Sequence, residues 1–200
     1  MSRPKSRQVG VRVFGPPRGW ALFSFTELIF YRELLFFLIW RDVKVRYKQT
    51  VLGFLWAVAQ PFFTMVVFSV VFGRLADIPS DGIPYPVFSY AALLPWQLFS
   101  RGLTDASSSL VTNRTLLTRV YFPRLYLPTA AIGAGLVDFA IAFTILIAMM
   151  VWYDIVPTIA VLALPLLVLL AAMTSLSIGI WLSGLNARYR DIRLVLPFIS

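Results

Sequence analysis

Most side-chain chemistry is missing from this sequence of 200 residues, which has no histidine, no cysteine and only nine acidic residues. Imidazole bases, thiolate nucleophiles, disulfides and the usual zinc or haem ligand sets are therefore excluded. The scattered carboxylates form no pair at catalytic spacing. There is no GxxxxGKS/T loop to cradle a nucleotide, no nucleophile elbow and no HExxH pair. The sequence thus predicts no catalytic residue, no metal site and no cofactor of its own, and energy for any work must come from elsewhere.

What remains is a small set of ionisable and aromatic residues in unusual places. Arg101, Asp105 and Asp138 lie inside long apolar stretches. Charge at bilayer depth is costly, so such groups point to function by default, facing a polar passage or the seam of an oligomer. The plainer reading is a structural pair or an arginine snorkelling to the interface. Arg101 and Asp105 are four apart, on one helical face, and are expected to pair with each other.

Aromatic residues make up 16% of the chain, and Trp56, Trp96 and Phe99 belong to a concentration of rings in two neighbouring apolar stretches. Rings of this kind serve as packing or as an interfacial belt. They can also line a route for sugars, because flat rings stack on the apolar faces of pyranoses.

A third group is the basic stretch at residues 113–126, where Arg114, Arg119 and Arg124 alternate with Leu116, Leu117, Tyr121 and Phe122 and no acid occurs. It is expected to be a short surface helix whose cations either anchor to lipid or dock on a partner. In the docking reading the aromatics fill a pocket and Arg119 or Arg124 meets acidic groups at its rim.

These residues are positioned by elements suited to a bilayer. The sequence is 59% hydrophobic and 14% charged, with a mean hydropathy of +0.79, against about 45–50% apolar and about 25% charged in soluble domains. Lipid can cover helices that are apolar all round, which water cannot. The expected class is an all-α integral membrane protein.

Residues 1–26 are basic, with Pro, Gly and Ser and no apolar run, and read as a disordered cytoplasmic tail; a targeting presequence is the alternative. Residues 27–50 read as an amphipathic interface helix. The apolar part, 27–40, is shorter than the roughly 20 residues a span needs, and four cations in residues 41–50 suit anionic headgroups. An interrupted first span is the other possibility.

From residue 51 onward the chain reads as a transmembrane domain, with spans at about 51–73, 89–111, 127–152 and 158–183 and a fifth beginning near 194. Pro61, Pro95 and Pro165 are expected to kink these spans. Ser175, Gly179 and Ser183 recur every four residues and form a small-residue face suited to close helix packing. The chain is expected to continue past Ser200.

Lysine and arginine mark cytoplasmic loops. Ten precede the first span, three lie between the second and third, and three follow the fourth, while the proposed outer loops hold only Arg74. That split puts both ends inside, gives a multi-pass protein with a cytoplasmic N-terminus, and accounts for the net charge of +9 without nucleic acid.

Four segments in order, RDVKVRYKQTVLGFLWAVAQPFFTMVVFSVVFGRLA, PYPVFSYAALLPWQLFS, VYFPRLYLP and NARYRDIRLVLPF, give the chain its resemblance to the permease subunits of type-2 ABC exporters for O-antigen, capsule or teichoic acid. The resemblance covers residues 27–200. It implies a homodimer of permeases in the bacterial inner membrane, joined to two ATPase subunits that bind ATP and Mg, moving a lipid-linked glycan outward.

By the same resemblance, 41–50 ends the interface helix and 186–191 is a second cytoplasmic turn. Residues 113–126, with Asn113, Arg114, Arg119, Tyr121, Phe122 and Arg124, are the ATPase-coupling helix. Trp56, Trp96 and Phe99 match positions near the translocation route. The family has six spans, of which four and the start of a fifth are expected here. Export of a drug or small lipid, or a scaffold binding membrane lipids and a cytoplasmic partner, are the competing functions; a lipid-modifying enzyme would need acid or histidine clusters that are absent.

Overall fold

The computed structural model describes residues 32–48, 51–76, 78–80, 82–119 and 122–189, without the side chains of residues 48, 51–58 and 160. The sequence expectations for the tail at 1–26, for the start of the interface helix, for Tyr121 and for a span near 194 lie outside these residues. By its contacts the chain divides into residues 1–32 and 33–200. Only Arg32 of the first unit is described, and the architecture is that of the second.

Among the described residues every regular element is helical. Helix α1 is Arg32–Lys48 and α2 is Val51–Phe68, continued by a π-helical segment Ser69–Leu75. Then come α3, Tyr85–Thr112, the short α4, Arg114–Arg119, α5, Tyr126–Trp152, a 3-10 turn Ile159–Ala163, and α6, Leu164–Arg188.

Tyr126–Trp152 and Val161–Arg188 are long and apolar enough to cross a membrane, and Ala59–Leu75 is a shorter apolar helix. Helix α3, with 28 residues, is about 42 Å long at 1.5 Å per residue, but carries Arg101 and Asp105.

The apolar side chains of α6 show why these helices need lipid. Leu166, Leu170, Met173 and Trp181 are exposed, whereas the opposite face, with Ala172, Ser175, Gly179, Leu182, Ser183 and Asn186, is buried. This second face is the small-residue stripe read from the sequence, and it lies on α3. A Cβ on Gly179 would meet that of Ala106 at 2.6 Å, and one on Gly102 would come 3.1 Å from the Ser175 hydroxyl. Asn186 Nδ2 donates to the Ser107 carbonyl at 3.1 Å across the same seam. Small side chains let the two backbones approach, so that packing replaces the hydrophobic drive that lipid does not supply.

The other side of α3 packs on α2 and α5. Met65, Val87, Tyr90, Leu93, Leu94 and Leu146 form one buried cluster, with Phe139 and Phe143 against it. Helix α5 ends in a Schellman-type turn: the Ile155 N–H donates to Met150 O at 2.9 Å and the Asp154 N–H to Val151 O at 3.3 Å, with Asp154 at φ 53°. Aspartate is one of the few non-glycine residues that take this left-handed conformation readily. Pro61 and Pro95 lie inside helices. Pro165 does not kink α6, as expected from sequence, but sits in its first turn, where its missing N–H costs nothing.

Candidate functional site

Helix α1 is tied to the bundle by side chains. Its Leu38 is buried, and Ile39 covers Gly133 so closely that a Cβ there would lie 2.6 Å from the isoleucine Cδ1. Arg41 donates to Asn113 Oδ1 at 2.8 Å and to Asp42 at 2.7 Å. One turn further on, Arg46 places its guanidinium between two carboxylates, reaching Asp105 of α3 at 2.8 Å and Asp138 of α5 through its other terminal nitrogen. Tyr47 donates its hydroxyl to the second oxygen of Asp138 at 2.5 Å.

This cluster corrects the sequence expectation that Asp105 pairs with Arg101. Asp105 turns to Arg46, while Arg101 donates to Gln60 Oε1 of α2 at 2.7 Å. A guanidinium shared by two carboxylates makes charge-assisted bonds to both, and it joins three helices instead of decorating one. The sequence reading missed Arg46, Tyr47 and Gln60, having assigned 41–50 wholly to headgroups. The available signal was arithmetic: two carboxylates in apolar helices need more cation than Arg101 supplies, and Arg46 lies in the adjoining basic segment.

Burial opposes the charge on Arg46, but Asp138 and Asp105 outweigh it and raise its pKa above an already high ordinary value, so Arg46 is charged at every working pH. Burial first, and then the hydrogen bond to Asp138, raise the Tyr47 pKa. Tyr47 is therefore a permanent donor and no acid-base group.

Beside the cluster a groove of about 740 Å³ runs between α2 with its π-helical continuation and α3. Its walls include Phe68, Phe72, Tyr85, Phe88 and Trp96, and Gln60, Gln97 and Arg101 lie at its polar end. A cavity of about 30 Å³, lined by Tyr47, Gln97, Arg101 and Asp138 among others, adjoins it through Gln97 and Arg101.

Of the aromatic residues singled out from sequence, Trp96 lines the groove and is 54% exposed. Phe99 stands 6.0 Å from it, centroid to centroid, but packs with Leu103, Leu182 and Leu185 between α3 and α6 and is not among the groove residues. The Trp56 side chain lies outside the described residues.

The basic stretch after α3 divides by burial. Arg114, Arg119 and Arg124 are exposed, and no ion pair engages them among the described residues. Phe122 is only 7% exposed, so it fills the chain's own core and is unavailable to fill a partner's pocket. Asn113 is held by Arg41 and by its own bond to Ser109 O at 2.9 Å.

Among the described residues no cluster of three or more His, Cys, Asp or Glu can hold a metal ion. What the arrangement offers is a fixed polar core, an amphipathic groove and an exposed basic segment, which suits binding and transmission of movement.

Residues 33–200 match the family described as ABC-2 type transporter. The chain belongs to that family. Among its curated relatives is the O-antigen export system permease protein RfbA of Myxococcus xanthus, 33% identical over 168 residues, which are 84% of this chain and 64% of the relative. The protein of the same name from Klebsiella pneumoniae is 28% identical over 161 residues, 80% of this chain and 61% of its own. The polysialic acid transport protein KpsM of Escherichia coli is 26% identical over 113 residues, 56% of this chain and 43% of its own. The chain thus spans less than two thirds of the length of these relatives. Family membership makes it part of the membrane domain of an ABC-2 type transporter, and the relatives are named as export permease and transport proteins for O-antigen and polysialic acid.

Proposed function

We propose that the chain is the membrane subunit of an ATP-driven exporter that carries a lipid-linked polysaccharide, of O-antigen, capsule or teichoic acid type, across the bacterial inner membrane. The observation that carries this reading is the family match over residues 33–200, with relatives named for O-antigen and polysialic acid. The groove supports it, since mainly apolar walls with a polar, cationic end suit an amphiphilic, lipid-linked cargo.

In this reading α2, α3, α5 and α6 are the first four of six spans, α1 lies in the interface, and the N-terminus is cytoplasmic. Two permease copies form the dimer. A separate ATPase pair binds ATP and Mg and pushes on the segment from Asn113 to Arg124 through Arg114, Arg119 and Arg124. Because Asn113 is bonded to Arg41, a push there reaches α1 as well as α3. Rigid helices that share ion pairs move as bodies, which is how a small movement at a cytoplasmic loop becomes a larger one in the membrane.

The test is to purify the full-length protein with the ATPase encoded beside it and to measure ATP hydrolysis with and without lipid-linked glycan. Stimulation by glycan is expected. An ATPase that does not co-purify favours a scaffold, and stimulation by small lipids alone favours the lipid or drug exporter.

A further inference from the structure

We propose that the groove between α2 and α3 is a binding site for the phosphate-bearing end of a long-chain membrane lipid, with Arg101 as the phosphate ligand. The identification of that lipid as cargo rests on the exporter reading; binding at the groove does not.

The first support is the contrast between the two arginines of the polar core. Arg46 meets two carboxylates. Arg101 meets none: among the described residues its one hydrogen bond goes to Gln60 Oε1, and the ion pairs are those of Arg41 with Asp42 and of Arg46 with Asp105 and Asp138. A guanidinium has five N–H donors in a planar fork. Gln60 takes one; Arg101 lines the groove and, although Asp105 lies within its electrostatic reach, it makes no ion pair among the described residues.

The second support is the chemistry of the groove walls. Phe68, Phe72, Phe88 and Trp96 make a mainly apolar wall for a chain, interrupted by the hydroxyls of Thr64 and Ser89, and the charged end is that of Gln60, Gln97 and Arg101. Between Tyr85 and Arg101 α3 rises about 24 Å at 1.5 Å per residue, so the apolar part is long enough for an extended hydrocarbon chain. A free anion would use the arginine and waste the rings, and a neutral lipid would do the reverse. Arginine recognises phosphate through two parallel N–H bonds, and with few waters nearby that recognition is strong. Sites that bind small molecules share this pattern of apolar walls with a few placed polar groups.

The test is equilibrium binding to the purified full-length protein in neutral detergent, without the ATPase. The probes are hexadecyl phosphate, hexadecanol and inorganic phosphate. Hexadecyl phosphate is expected to bind at least about tenfold more tightly than hexadecanol, a difference of one charge-assisted contact, and inorganic phosphate is expected not to compete at equal concentration. Arg101→Gln should bring hexadecyl phosphate down to the level of the alcohol, Arg101→Lys should keep part of the difference, and Trp96→Ala should weaken both amphiphiles alike.

Equal binding of phosphate and alcohol by the unmodified protein overturns the proposal, as does Arg101→Gln binding with unchanged affinity. Full competition by inorganic phosphate also overturns it, by assigning the site to a soluble anion. The unmodified protein decides the first and last outcomes even if Arg101→Gln fails to fold. Failure of the ATPase to associate bears only on the exporter reading.

Discussion

Arg46 and Asp138, 92 residues apart in the chain, are joined by an ion pair that locks the end of α1 to the middle of α5. Asp138 is the more buried of the two carboxylates on Arg46, with 11% of its side chain exposed against 38% for Asp105. Removing Arg46 therefore leaves two carboxylates facing each other in a place poor in water, whereas removing either acid leaves a neutral pair. Arg46→Gln is expected to cost about 3 kcal/mol, and Asp105→Asn distinctly less. Melting in detergent should rank the variants in that order, and the triple variant Arg46→Gln, Asp105→Asn, Asp138→Asn should recover much of the loss. Equal losses for Arg46→Gln and Asp105→Asn would remove the cluster from the account of stability.

The hydroxyl of Tyr47 completes that cluster, and its raised pKa fixes a pH window. A group whose folded pKa is raised contributes fully below its unfolded value, about 10 for tyrosine, and loses that contribution as pH rises through the folded value. Tyr47→Phe is therefore expected to destabilise the protein by the same amount at pH 6 and at pH 9, about 1.5–3 kcal/mol for a hydrogen bond to a charged acceptor. Phenolate absorbance should show that Tyr47 stays protonated at a pH where exposed tyrosines have ionised. A Tyr47→Phe effect that changes between pH 6 and pH 9 would contradict the assignment.

The helical class and the ABC-2 transporter family were both legible in the residues. Composition demands lipid, and four motifs stand in the family's order. The small-residue stripe at Ser175, Gly179 and Ser183 was legible too, because a spacing of four keeps residues on one helical face. Partners distant in sequence were not. Nothing local says that Arg46 crosses to Asp105 and Asp138, and a pairing rule that looks four residues along one helix chose Arg101. Phe122 shows the same limit: an aromatic residue in a basic loop reads as exposed until the fold turns it into the core.

The α3 and α6 seam predicts opposite results for two glycines on one helix. A methyl group at Gly179 would strike Ala106, while one at Gly184 meets nothing within 4 Å. Gly179→Ala is expected to destabilise by about 1–3 kcal/mol through overpacking. Gly184→Ala is expected to be neutral or to gain up to about 1 kcal/mol from helix propensity. Thermal unfolding of the two variants in one detergent measures both, and a Gly179→Ala protein as stable as its parent would show that the helices separate freely.

The division of the basic segment by burial separates coupling from folding. Arg119 and Arg124 are exposed and take part in no ion pair among the described residues, so reversing them disturbs no internal partner. Arg119→Glu with Arg124→Glu is expected to abolish association with the ATPase while leaving membrane insertion and melting temperature unchanged. Phe122→Ala should behave in the opposite way, because it opens a cavity in the chain's own core at a cost of about 3 kcal/mol, and any loss of ATPase binding should follow the loss of folded protein. Co-purification normalised to folded permease distinguishes the two. If the charge reversals leave association intact, the exposed arginines are lipid anchors and the coupling contact lies elsewhere in the permease.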